Sequence, residues 1–136
     1  MEKSALVFAS ALLLGACAPV AEAPPLDLIP RPASWNPSQN TCAISGEWDV
    51  QVAEEWEEER SFWSDWLTAD SAGTEGKAVS VIIEESPVME PEAYALAIRP
   101  EGIRIEAGST SGAFHALTTL RSLALTSGEA LPCGYL

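Results

Sequence analysis

Residues 93–125 read AYALAIRPEGIRIEAGSTSGAFHALTTLRSLAL, and several kinds of element follow one another inside them. Tyr94, Leu96 and Ile98 alternate with Ala93, Ala95 and Ala97, the two-residue period of a strand with two distinct faces. One of those faces is all alanine, so a helix or a neighbouring backbone can approach it closely. Pro100-Glu101-Gly102 follows as a tight turn: proline presets φ, and glycine accepts the left-handed conformation that closes it. Ile103, Arg104, Ile105 and Glu106 alternate again and complete a hairpin. Ser109, Thr110 and Ser111 offer N-caps to a helix whose Ala113, Phe114, Leu117, Leu120 and Leu123 or Ala124 recur at helical spacing. Thr126-Ser127-Gly128 ends it.

Working outward, Lys77–Glu85 predicts another strand, with Val79, Val81 and Ile83 on one face and Ile82 on the other. Ser86–Pro91 is a proline-bounded connection to the hairpin, and Thr68–Gly76 is a polar loop on the other side. Asp49–Leu67 predicts a helix, because Val52, Trp56, Trp63, Trp66 and Leu67 fall on one side of it. Its acidic residues crowd the N-terminal half, where the helix dipole is positive. Ahead of Gly46, Thr41–Ser45 predicts a first strand. The order is strand, helix, strand, hairpin, helix, which implies an α+β fold: a small mixed sheet with two helices packed on one face. No internal repeat is present.

The first sixteen residues stand outside that fold. Ala5–Ala16 is an apolar run of twelve, too short to span a bilayer and suited to a signal-peptide core. It runs into Leu14-Gly15-Ala16-Cys17, which resembles the lipobox of bacterial lipoproteins. Cleavage there leaves Cys17 to carry lipid, and two or more acyl chains anchor stably where one does not. The other reading is an ordinary signal peptide with an incidental cysteine. Residues 17–25, with the proline- and alanine-rich APVAEAPP, form a semi-extended tether. A chain that begins at Cys17 has about 120 residues, enough for one small domain. Setting Cys17 aside leaves Cys42 and Cys133 as a candidate disulfide in an oxidising compartment, or as two free thiols. A net charge of −13 supplies no basic surface to displace phosphate counterions, which excludes nucleic acid, and no electrostatic grip on anionic lipid.

Tyr94-Ala95-Leu96, the Pro100-Glu101-Gly102 turn, Ile103-Arg104-Ile105-Glu106-Ala107 and then Gly112-Ala113-Phe114-His115-Ala116-Leu117-Thr118-Thr119-Leu120-Arg121 resemble the N-terminal domain of bacterial β-N-acetylhexosaminidases, glycoside hydrolase family 20. That family shows Y-x-L, a hairpin, I-x-I-x-A and then G-x-F-x-G-x-x-T-L-R-Q-L. The present sequence departs at Ala116, where glycine is usual, at Ser122, where glutamine is usual, and at His115, where an aromatic is common. Leu28-Ile29-Pro30-Arg31-Pro32 is similar to the family's L-I-P-x-P opening, so the resemblance covers residues 26–136. It implies a zincin-like, metal-free fold that braces a catalytic barrel. The full enzymes remove terminal N-acetylglucosamine or N-acetylgalactosamine by a retaining, substrate-assisted route. A (β/α)₈ barrel takes roughly 250 residues and cannot lie in this chain. Leu131–Leu136 stands where the family continues into that barrel, which makes this chain read as a fragment.

The residues that carry chemistry elsewhere find no partners in this sequence. The family's acidic pair belongs to the barrel, and Glu84-Glu85, as strand neighbours, point to opposite faces. The Glu54–Glu59 cluster reads as a solvated helix face. His115 is the only histidine; zinc needs three or four ligands, and neither H-E-x-x-H nor a G-x-S-x-G nucleophile elbow occurs. No metal or other cofactor is therefore expected. Trp56, Trp63 and Trp66 share the apolar side of the expected helix and read as core rather than as a sugar-stacking platform, while Trp35 and Trp48 are less placed and can face a partner. Arg121 stands in a helix of short apolar residues: its fork either binds an adjoining domain or lies on the surface. The expectation is a non-catalytic domain of an exported, lipid-anchored hexosaminidase in the bacterial cell envelope, touching glycan only through the complete enzyme. The alternative is a free-standing envelope lipoprotein that binds a sugar or a protein.

Overall fold

The computed structural model describes residues 32–43, 47–68, 78–127 and 130–136. In chain order these form β1 (Asn36–Ala43), β2 (Trp48–Val52), a turn of 3₁₀ helix (Glu54–Trp56), α1 (Arg60–Thr68), β3 (Val79–Glu85), β4 (Tyr94–Arg99), β5 (Gly102–Ala107), α2 (Thr110–Ser127) and β6 (Ala130–Tyr135). The strands make one mixed sheet of six in the order β1-β6-β4-β5-β3-β2. β2, β3 and β5 run parallel to one another, whereas β4 is antiparallel to β5 and β6, and β1 to β6.

The two-residue period of the central strands explains the layering. Val81 and Ile83 of β3, Leu96 and Ile98 of β4, and Ile103 and Ile105 of β5 are all at most 3% exposed, and they share one core with Trp63 and Leu67 of α1 and with Leu117, Leu120 and Leu123 of α2. The fold is therefore α+β, a mixed sheet carrying two helices. Between those buried positions stand Glu84, Arg104 and Glu106, on the face away from the helices.

The hairpin follows the expected turn. Leu96 pairs with Ile105, Ile98 with Ile103 and Arg99 with Gly102, and Gly102 adopts φ 153°, a conformation that side chains disfavour. Ala95 and Ala97 are buried on the opposite face, while both described helices share the core of Leu96 and Ile98. Glu106 and Arg104 stand opposite them across the ladder. Close helix approach occurs instead at Gly112, where an added Cβ would sit 2.6 Å from the Ala93 carbonyl oxygen. Ser109 caps α2: its Oγ accepts from the Ser111 and Gly112 amides and donates to the Pro91 carbonyl.

Three expectations change. The first strand begins at Asn36, five residues before Thr41; Pro37 is tolerated because β1 is an edge strand, where a missing N–H leaves no ladder bond unmade. The helix over Asp49–Leu67 is only its second half. Trp48–Val52 pairs in parallel with Val79–Ile83, and the chain turns through 3₁₀ geometry before α1 starts at Arg60. Five residues fit either period, and the backbone of β3 decides for the strand. Third, Ala130–Tyr135 is a strand that Pro132 and Gly134 conceal. β4 pairs with β6 only near Gly134 and Tyr135 and through the mutual Leu96–Leu136 backbone hydrogen bonds, so Pro132 lies beyond the end of β4 and faces β1 alone. The signal peptide (1–16), the tether (17–25) and most of the Thr68–Gly76 loop lie outside the described residues; Thr68 itself ends α1.

Candidate functional site

Residues four apart on a helix share a side, and so do residues seven apart. Phe62 and Trp66 therefore project together from α1, and Phe114 and Arg121 together from α2. Where the helices meet, these four side chains form one patch. The Phe62 and Trp66 rings are 6.5 Å apart, Phe62 and Phe114 6.1 Å, and Trp66 and Phe114 5.4 Å. The Arg121 guanidinium carbon lies 4.2 Å from the centroid of the Trp66 ring, within range of a cation–π contact. Phe62 is 56% exposed, so the patch opens to solvent.

Arg121 thus sits half-buried at the helix–helix seam. His115 is exposed on the outward side of α2. Cys42 and Cys133 form a disulfide with Cα atoms 5.4 Å apart, buried in the core, and it ties β1 to β6. Cys17 lies outside the described residues. Trp56 and Trp63 are buried and meet edge to face at 5.9 Å, while Trp35 and Trp48 pack half-buried against the core. Trp66 belongs to the aromatic patch. The core reading of the tryptophans holds for Trp56 and Trp63, and Trp66 is displaced to the rim.

Among the described residues the acidic side chains do not converge. Glu84 pairs with Arg104 on the outer sheet face, and Glu85 is exposed at the end of β3. Glu57 pairs with Arg60 at 2.5 Å at the start of α1, both well exposed, and Glu54, Glu55 and Glu58 are exposed nearby. Among the described residues no group of three or more His, Cys, Asp or Glu is placed to hold a metal ion, and no helix is long and apolar enough to cross a membrane. Sequence reasoning missed Phe62 and assigned Phe114 to the buried stripe. The signal was available for Phe62, which stands four residues before Trp66; only the packing of α1 beside α2 shows that Phe114 lies at the stripe's edge.

The described residues thus form a hairpin, a capped helix and a mixed sheet. The sequence profile of glycosyl hydrolase family 20, domain 2, matches residues 26–135. The chain belongs to that family. Among curated proteins none matches it. In fold, this family 20 domain is similar to part of a Streptomyces plicatus β-hexosaminidase in complex with product, with a TM-score of 0.63 and 23% identity over 87% of the chain and 27% of the enzyme. It is similar to an exo β-N-acetylglucosaminidase from Vibrio harveyi, with a TM-score of 0.61 and 24% identity over 79% of the chain and 18% of that enzyme. A β-N-acetylhexosaminidase from Bacteroides fragilis gives a TM-score of 0.59 and 17% identity over 78% and 23%. The chain thus spans about a quarter or less of these structures, and in each the matching part sits within a larger enzyme.

Proposed function

We propose that this chain is the non-catalytic N-terminal domain of an exported β-N-acetylhexosaminidase, an enzyme that removes terminal N-acetylhexosamine residues from glycans. The family match over residues 26–135 carries the reading. The catalytic groups would belong to a barrel domain outside these residues, and the mixed sheet with its two helices, a zincin-like layer in this reading, would brace it without binding metal or sugar. Export is supported by the buried disulfide, since such bonds persist in oxidising compartments. Cys17 would carry the lipid that anchors the enzyme in the bacterial envelope.

Two measurements test this. The isolated chain, given a nitrophenyl N-acetylglucosaminide, releases no nitrophenol; measurable turnover refutes the reading. Expressed with its leader in bacteria fed labelled palmitate, the chain takes up label and Cys17→Ser does not. Equal labelling of both removes Cys17 as the anchor.

A further inference from the structure

We infer that β1, β6 and the Cys42–Cys133 bond form a tension clamp. A pull between the chain ahead of Asn36 and the chain after Leu136 crosses this one corner of the domain and does not reach the rest of the sheet. What the clamp holds together, a lipid anchor on one side and a catalytic domain on the other, rests on the reading proposed above; the path of the load does not. An enzyme anchored at one end and bound to a glycan at the other is pulled along its chain.

The two pulled ends lie side by side. β1 runs antiparallel to β6 with Asn36 opposite Tyr135 and Pro37 opposite Gly134, so the strand that enters and the strand that leaves meet at one end of their ladder. Drawn apart there, a ladder opens one pair at a time, because its hydrogen bonds lie across the strands and are loaded in turn. Few contacts resist. Tyr135 and Gly134 pair with Ala97 and Ile98 of β4, and Leu136 exchanges two backbone hydrogen bonds with Leu96. Trp35 adds packing: a Cβ on Gly134 would lie 2.5 Å from its Cη2 atom, so its ring closes over the entry pair.

The next link is covalent. Cys42 stands opposite Leu131, two residues from Cys133, and the disulfide bridges the two strands. β2, α1, β3, β4, β5 and α2 all lie between the two cysteines in sequence, so tension that reaches the bond passes through it and bypasses them. Both cysteines are at most 3% exposed, which keeps a reductant away while the strands stay closed. The bond divides the chain into two lengths. Residues 36–41 and 134–136 lie outside it and draw out to about 30 Å as open chain. The cysteines are 91 residues apart, a span of about 300–330 Å when extended. The oxidised domain yields the short length and keeps the long one folded, so the layer that braces the catalytic domain holds its shape while the anchor is pulled.

The experiment uses the full-length enzyme, this domain together with its catalytic domain, in optical tweezers. One handle is fixed ahead of Leu26 and one at the junction after Leu136, so that only this domain is pulled. The oxidised enzyme lengthens by about 30 Å and no further, and after dithiothreitol treatment the same pull adds a step of about 300 Å. Cys42→Ser combined with Cys133→Ser behaves as the reduced enzyme does. Trp35→Ala lowers the force of the short step and, with the bond intact, brings no long one. A step of about 300 Å from the oxidised enzyme, or none from the reduced enzyme at the same force, overturns the clamp. An unchanged short step in Trp35→Ala removes that ring from it. A full-length product with no hexosaminidase activity overturns the family reading beneath it, and the two lengths still decide the path of the load.

Discussion

Reduction of the Cys42–Cys133 disulfide tests the architecture most directly, because the bond joins residues 91 apart in sequence. In the chain-entropy treatment, a loop of that length removes about 15 cal/mol/K from the unfolded ensemble, or about 4.6 kcal/mol at 25 °C. The native state loses little on reduction: both cysteines are at most 3% exposed, and two buried thiols occupy nearly the volume of the bridge. Reduction therefore isolates the loop contribution better than Cys→Ala replacement, which also leaves cavities. Small domains are stable by about 5–15 kcal/mol, so the bond supplies a large share of the total. Urea unfolding followed by tryptophan fluorescence, with and without dithiothreitol, provides the assay. The reduced protein is expected to lose on the order of 3–5 kcal/mol and to show a larger urea dependence, since its unfolded chain is less compact. A loss under about 1 kcal/mol, or an unchanged urea dependence, refutes the reasoning that β1 and β6 are tied by a long closed loop.

Gly112→Ala places a Cβ 2.6 Å from the Ala93 carbonyl oxygen and 3.0 Å from that of Pro91. The gain in helix propensity, about 1 kcal/mol, is outweighed by displacing backbone, about 1–3 kcal/mol, so the variant unfolds at lower urea than the wild type. A stabilised variant contradicts the seating of α2 on the entry to β4. Arg104→Gln removes two ion pairs whose side chains are 41–55% exposed, so it lowers stability by at most about 1 kcal/mol, and by less in 1 M salt. A larger, salt-independent loss means that the outer sheet face is not freely solvated.

The hairpin, β3 and α2 were legible because independent local signals agree in each. In β4 and β5 the alternation meets a turn that needs Gly102, and in α2 the apolar stripe begins just after the Ser109 cap. The family resemblance drew on that same stretch, from Tyr94 to Arg121. Short-range signals failed where pairing with a distant segment overrides them. Trp48–Val52 joins the sheet because β3 offers its backbone, although Val52 and Trp56 fit a helix equally well. β6 holds Pro132 and Gly134 and reads as a strand only once β1 and β4 flank it.

The candidate site divides in the same way. The residue types were visible in the linear order: an arginine among short apolar residues, two cysteines left over after Cys17, and three tryptophans near one helix. Their meeting was not. Arg121 reaches the Trp66 ring because α2 lies beside α1, and Cys42 reaches Cys133 because β1 closes against β6. The sequence alone determined the hairpin, β3 and α2 and the family resemblance they carry, since φ preferences, caps and hydrophobic period act over a few residues. Tertiary structure decided which side chains share a surface, because burying apolar area brings together segments that no local rule relates.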